Sequence, residues 1–190
     1  MHHVTIYQQD ILKSNLNDFF HRKPFRIVSN LPYQISSPFL FKAIEEHTAS
    51  GNIIDIKLML QKEFADRLAA EPGKKNYGQL SVIAQFYFEC ELDIEIGAES
   101  FDPPPAVDSA LISLTPKNLS TSELALGTYL NQVVKLAFSQ RRKTLRNTLK
   151  PLFSEETLKK HAINPNSRAE TLPIQAFLCL AEQLLQQSTR

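Results

Sequence analysis

Asn30-Leu31-Pro32-Tyr33 stands where a short apolar run ends and a helix begins. Before it, Phe25-Arg26-Ile27-Val28-Ser29 is bounded by turn residues, the pattern of a buried strand. After it, Ser36-Ser37-Pro38 predicts a helix start, with Ser as the cap and Pro at the first helical position. In an open α/β sheet such a strand-to-helix crossover is where ligands bind, outside the carboxyl ends of the strands. The neighbouring periodicities extend the pattern. Residues 4–7, 53–60, 89–96 and 109–115 read as strands, and residues 11–20, 38–46, 62–70 and 79–87 as helices. The expected fold class is therefore α/β with a parallel-rich sheet. A polar linker follows at 116–121, and beyond it the period is helical only, at 124–139, 154–161 and 173–187. Two units are expected: residues 1–116, built on the sheet, and residues 117–190, all helical.

The residue types at the crossover suit one chemistry. The exocyclic amine of adenine is a poor nucleophile, because its lone pair is delocalised into the ring. It needs acceptors that hold both N–H bonds and turn the lone pair toward an electrophile. The side-chain oxygen of Asn30 is one acceptor. The carbonyl of Leu31 is another, since Pro32 biases Leu31 to an extended conformation. Tyr33 offers a flat face for stacking a base. Taken alone, the tetrapeptide reads first as an ordinary turn before a helix.

Charge is distributed unevenly. The net charge of +1 gives no nucleic-acid signal, but residues 135–160 carry eight Lys or Arg and two Glu. Residues 89–108 carry seven acids and no Lys or Arg. A basic pole and an acidic pole suit a protein that orients on a polyanion. Arg141, Arg142, Lys143 and Arg146 lie within six residues. On a helix, Arg142 and Arg146 would share a face, making a phosphate-binding surface as plausible as a solvated one. Glu89, Glu91, Asp93 and Glu95 alternate with Cys90, Leu92, Ile94 and Ile96, which predicts a half-buried strand. Carboxylates along one flat strand do not converge, so no metal site is expected. Cys90 and Cys179 make neither a disulfide framework nor a zinc site, and a cytoplasmic, reducing setting is expected. No apolar run is long enough to span a membrane, and no membrane partner is expected.

Three ordered motifs carry a family resemblance. They are Asn30-Leu31-Pro32-Tyr33, the segment from Phe101-Asp102-Pro103-Pro104-Pro105 to Asp108-Ser109, and Gln140-Arg141-Arg142-Lys143 with Arg146-Asn147. Together they resemble the small-subunit ribosomal RNA adenine dimethyltransferases over residues 4–185. The resemblance implies transfer of methyl groups from S-adenosylmethionine to two adjacent adenosines near the 3′ end of small-subunit ribosomal RNA. It implies that Asp10 and Asn30 contact the cofactor, and that Asn30 and the Leu31 carbonyl hold the amine, with Pro32 fixing the chain between them and Tyr33. Tyr33 and Phe101 would clamp the base, which is swung out of its stack as in other base-modifying enzymes. It implies that Arg141, Arg142, Lys143 and Arg146 hold RNA of the small-subunit particle, and that the protein acts as a monomer. Gln34 departs from the Asn that relatives often carry after the Tyr.

The family's glycine-rich turn for the methionine and ribose of the cofactor has no counterpart before Gly51, the first glycine. The expected fold is thus a partial Rossmann-like S-adenosylmethionine-dependent methyltransferase sheet, N-terminally truncated so that its first two strands are missing, followed by a small all-helical domain. Two other functions fit parts of the sequence. A DNA adenine methyltransferase shares the amine-holding motif, and a non-catalytic RNA-binding or ribosome-assembly module would need no glycine-rich turn.

Overall fold

Alternating apolar runs and helical stripes fold into a four-stranded sheet, with helices packed against it and continuing beyond it. The computed structural model describes residues 4–21 and 23–188. Strands β1 (Phe25–Asn30), β2 (Ile53–Gln61), β3 (Phe88–Ile96) and β4 (Ser109–Pro116) lie in the order β1-β2-β4-β3. β1 and β2 pair in parallel, whereas β4 runs antiparallel to both of its neighbours. Three strands therefore point one way with the fourth reversed between them. The expected parallel-rich sheet has that common direction, but only one of its three pairings is parallel. The reversal brings the carboxyl ends of β1, β2 and β3 to the same edge as the start of β4.

One face of the sheet is dry. Ile56, Leu58 and Leu60 of β2 and Ala110, Ile112 and Leu114 of β4 are all buried. Helices α2 (Ser36–Ser50), α3 (Lys62–Leu68) and α4 (Gln79–Tyr87) pack against the strands. The other face carries a polar cluster, in which Lys57 Nζ and Ser113 Oγ each donate to Asp93, at 3.1 and 2.6 Å. α2 ends where Gly51 takes a left-handed conformation (φ 67°) and donates its amide to the carbonyl of His47.

After β4 the chain forms α5 (Thr121–Ala137), α6 (Leu145–Thr148), α7 (Glu155–Lys160) and α8 (Ile174–Ser188). Ser120 and Glu123 close a capping box at the start of α5, and Ser154 caps α7. Leu130, Val133, Val134, Leu158, Phe177 and Leu180 are buried and belong to the same core cluster as the sheet. Among the described residues no helix is long and apolar enough to cross a membrane. Among them, too, no cluster of His, Cys, Asp and Glu could hold a metal ion.

Several local expectations are corrected. Residues 4–7 form no strand, and Val4 and Ile6 are 84% and 88% exposed. A strand exists only as a hydrogen-bonded partner, and among the described residues the outer edge of β1 has none. The helix expected at 11–20 is a turn followed by the four-residue α1 (Leu16–Phe19). Ser36 is not a cap: a 3₁₀ turn, Tyr33–Ile35, runs into α2, and Pro38 occupies the third helical position. Its missing N–H would be unpaired there in any case. β3 is an edge strand, with a register shift between Leu92 and Ile94 that breaks the expected half-buried alternation. Leu92 and Ile94 are exposed.

Candidate active site

The carboxyl edge of the sheet gathers most of the chemistry-bearing residues. Asn30 is the last residue of β1 and is exposed, while the side chain of Leu31 is buried and anchors the turn. Pro32 (φ −54°, ψ 127°) then directs the chain into the 3₁₀ turn, closed by Ile35 N–H donating to the Pro32 carbonyl at 3.0 Å. Among the described residues, neither the Asn30 side chain nor the Leu31 carbonyl has a hydrogen-bond partner. Two acceptors thus stand free, side by side, at the end of a parallel strand.

Tyr33 is half-buried, and its hydroxyl meets Ser109 Oγ at 2.9 Å, at the start of β4. Phe101 is also half-buried, just beyond the 3₁₀ turn Ala98–Ser100. Neither ring contacts another aromatic ring among the described residues. Asp108 joins the pieces. Its carbonyl accepts the Lys62 amide at 2.9 Å, and its carboxylate accepts the Ala98 amide at 3.1 Å. Lys62 Nζ is bonded to Asp66 and Glu95, and these hydrogen bonds, Asp66 first, raise its pKa and keep it cationic. No sequence signal ties Tyr33 to Ser109, 76 residues away.

Asp10 does not end a strand. It lies in an irregular segment, where its carboxylate accepts the Leu12 amide at 3.0 Å. That is the capping role its residue type favours, on a turn instead of a helix. Five clefts of about 330 to 780 Å³ are lined by residues other than Asp10, Asn30 and Tyr33. The fit to S-adenosylmethionine is thus partial. Two unpaired acceptors stand at the strand end, and none of these five clefts joins them to a cradle for the methionine and ribose.

The basic run does not share a helix face. Arg141, Arg142 and Lys143 occupy a turn between α5 and α6, closed by Lys143 N–H donating to the Gln140 carbonyl, and only Arg146 is helical. Gln140-Arg141-Arg142-Lys143 follows the end of α5 too closely to start another helix, which begins only after Thr144. Arg141 is tethered, donating to the Lys75 carbonyl at 3.2 Å and lying 3.8 Å from Glu170. Arg142, Lys143 and Arg146 are exposed, and no acid pairs with them among the described residues. Two clefts lead from the sheet edge toward this turn. One, of about 330 Å³, includes Asp108, Lys62 and Glu63. The next, of about 410 Å³, includes Glu63, Arg67, Lys75 and Arg141. Lys150, beside Arg146 in a further cleft, is a cation that the sequence motif did not single out.

A sheet with its last strand reversed, and a strand-to-helix turn with two unpaired acceptors at its carboxyl edge, is the architecture of the Rossmann-like methyltransferase class. The sequence model of the ribosomal RNA adenine dimethylase family matches residues 1–186, and the chain belongs to that family. It is 39% identical over 181 residues to a ribosomal RNA small subunit methyltransferase A of Neisseria meningitidis, covering 95% of this chain and 68% of the relative. It is 42% identical over 184 residues to the protein of that name from Francisella tularensis subsp. novicida, covering 94% and 68%. Among solved structures, a dimethyladenosine transferase from Plasmodium falciparum matches with a TM-score of 0.77 at 25% identity, over 96% of this chain and 72% of that one. The 23S rRNA methyltransferase ErmE shares the fold, with a TM-score of 0.68 at 23% identity, over 93% and 70%.

Proposed function

We propose that the chain works in dimethylation of adenine exocyclic amines in small-subunit ribosomal RNA, at two adjacent adenosines near the 3′ end. The single observation that carries this reading is the pair of free acceptors, Asn30 and the Leu31 carbonyl, on the carboxyl edge of β1. In this reading the two acceptors take the two N–H bonds of the amine and fix its lone pair outward. Tyr33 and Phe101 stack on the extruded base from either side, each stacking contact contributing about 1–3 kcal/mol. Pro32 holds the carbonyl and the ring in a fixed relation. S-adenosylmethionine, when bound, supplies an electrophilic methyl group, and Asp10 and Asn30 are the residues assigned to its contact. Positioning and charge stabilisation then do most of the catalysis, and the amine proton leaves to solvent.

Residues 1–116 are the catalytic part in this reading and residues 117–190 the RNA-holding part. Arg141, Arg142, Lys143 and Arg146 meet phosphates of the small-subunit particle in the cytoplasm, and the chain acts as a monomer. The two clefts along α3 give the RNA a route between the basic turn and the sheet edge.

The test is transfer of labelled methyl groups to small-subunit particles beside duplex DNA. Asn30→Ala should slow transfer by roughly ten- to 150-fold, the worth of one hydrogen bond to a group gaining charge. Melting should be unchanged, because the Asn30 side chain makes no bond within the described protein. Transfer to duplex DNA alone would replace RNA with DNA as substrate. A second reading, a non-catalytic RNA-binding module, is favoured by the unpaired cations of the basic turn beside a partial cofactor fit. It predicts salt-dependent binding to particles with no methyl transfer. In either reading, Arg141→Ala/Arg142→Ala/Lys143→Ala should reduce the slope of log affinity against log salt by about 2–3.

A further inference from the structure

The first residue of β4 and the one before it are linked by hydrogen bonds to Tyr33 and to the turn that precedes Phe101. Ser109 is 1% exposed and is held from both sides, opposite Gln61 of β2 and Ile96 of β3. Its hydroxyl is the one hydrogen-bond partner of the Tyr33 hydroxyl among the described residues. Asp108 is fixed to β2 through the Lys62 amide, and its carboxylate holds the Ala98 amide at 3.1 Å. The Ala98 carbonyl in turn accepts the Phe101 amide at 3.2 Å. Tyr33 is thus one hydrogen bond, and Phe101 two, from the same pair of residues.

Both rings sit on weak local supports. Each follows or lies in a 3₁₀ turn, the less stable kind of helical turn. A tyrosine ring pivots about its Cα–Cβ and Cβ–Cγ bonds unless its far end is tied down. Ser109, pinned by strand pairing, ties that end. A tyrosine hydroxyl usually finds a hydrogen-bond partner where it is buried. Here the partner adjoins Asp108, which holds the turn before Phe101; Ser109 is paired on both sides and Asp108 is bonded to the Lys62 amide.

We propose that Asp108-Ser109 is a positioning element, setting the orientation of Tyr33 and the placement of Phe101 so that a flat base fits between them. This rests on the base-clamp reading given above. Neither residue touches the base.

The experiment uses the 190-residue chain and a hairpin RNA from the 3′ end of small-subunit ribosomal RNA, with 2-aminopurine in place of a target adenosine. Stacking on an aromatic ring quenches this base, so the fluorescence at saturating protein reads the stacked fraction without needing methyl transfer. Tyr33→Phe and Ser109→Ala should each weaken the stacking equilibrium by about two- to tenfold, the range of one net hydrogen bond. The double variant should be no worse than either single one, because both remove the same bond. Asp108→Ala should weaken stacking as well, and Asp108→Asn, which keeps an acceptor for the Ala98 amide, should restore it. Tyr33→Phe leaves the buried site filled, so it remains informative if Ser109→Ala fails to fold. Additive losses in the double variant, or wild-type quenching in both single variants, would overturn the proposal. Tyr33→Ala separates the two levels. If it keeps full quenching, the clamp itself falls and the positioning element with it. If it abolishes quenching while Tyr33→Phe and Ser109→Ala quench normally, the clamp stands and the positioning element alone falls.

Discussion

The flank of the sheet beside β1 and the helical region after β4 differ in how they are held together. Beside β1, Leu16 and Phe25 are buried and the rings of Phe20 and Phe25 stack 4.3 Å apart, and a directional network is added to that packing. The Glu46 carboxylate accepts from the Leu16 amide at 3.0 Å, Asn17 Nδ2 at 2.8 Å and Lys42 Nζ at 3.0 Å. Asn52 Nδ2 then donates to Asn17 Oδ1 at 2.8 Å. Large apolar side chains on that flank, Val4, Ile6 and Val28, face solvent. In the helical region apolar burial predominates. Leu130, Val133, Val134, Leu145, Leu149, Phe177 and Leu180 are buried, and the rings of Phe138 and Phe177 pack 5.7 Å apart. Apolar burial is non-directional and scales with area, so it tolerates small shifts. A polar network holds only while each donor keeps its acceptor.

The largest difference should come from deleting one core ring. Phe177→Ala is expected to cost about 3–5 kcal/mol, through lost burial and the cavity left behind. Urea unfolding followed by circular dichroism measures it. Because sheet and helices share one core cluster, the whole chain should unfold at lower denaturant in one transition. Two separated transitions would break the comparison, by making the helical region an independent unit.

Next in size is Glu46→Ala. It removes one side chain and strands three donors, at a cost of about 1–3 kcal/mol. The loss should appear as faster amide exchange in α1 and at Asn52, with α8 unaffected. If α8 exchanges faster as well, the two flanks are coupled and the contrast is one of chemistry only.

Acid sharpens the contrast further. Burial pushes the Glu46 carboxyl up, but the Leu16 amide, Lys42 and Asn17 together outweigh it and hold the group below its ordinary 4.5. Burial alone lowers the neighbouring His47 below 6.5, and its Nδ1 is buried without a partner among the described residues. For both groups the unfolded chain takes up a proton at higher pH than the folded one. Each contribution is therefore complete above the unfolded pKa and is lost as pH falls through the folded value. Stability should decline first below about pH 6.5, through His47, and then below about 4.5, through Glu46. His47→Leu should flatten the first part of that decline, and denaturation midpoints measured from pH 7 to pH 4 would reveal it. An undiminished decline in His47→Leu would assign the effect to other groups.

The same contrast explains what could be read from the sequence. Helices α4, α5 and α8 and strands β1 and β2 were legible, because each buries a face against the rest of the chain and so carries a periodic apolar pattern. Residues 4–7 carry the same β-branched pattern and fail as a strand, since composition records propensity and not the presence of a partner edge. At β3, strict alternation hid a register shift that only the pairing with β4 reveals. The basic run has the spacing of a helix face but lies at a chain reversal. In the site, the strand-end position of Asn30 and its neighbours was visible in four consecutive residues. The links that arrange them, Tyr33 to Ser109 and Ala98 to Asp108, span 76 and 10 residues. Hydrogen bonds of that kind leave no periodic trace.

The smallest effect is expected where the exposed apolar residues lie. Val28 is 77% exposed on β1, so Val28→Thr forgoes little burial and keeps a β-branched side chain in the strand. Its change in stability should stay within about 0.5 kcal/mol, the range of surface substitutions. The same replacement should nevertheless change behaviour at high concentration. β1 has an unpaired outer edge among the described residues, and an open edge beside an apolar side chain invites pairing between chains. Light scattering during concentration should show less self-association for Val28→Thr than for the natural chain, at equal denaturation midpoints. A large loss of stability would mean that Val28 is covered when the chain is in solution. The outer side of the β1 flank would then be covered as well, and the distinction between the two regions would lose its basis.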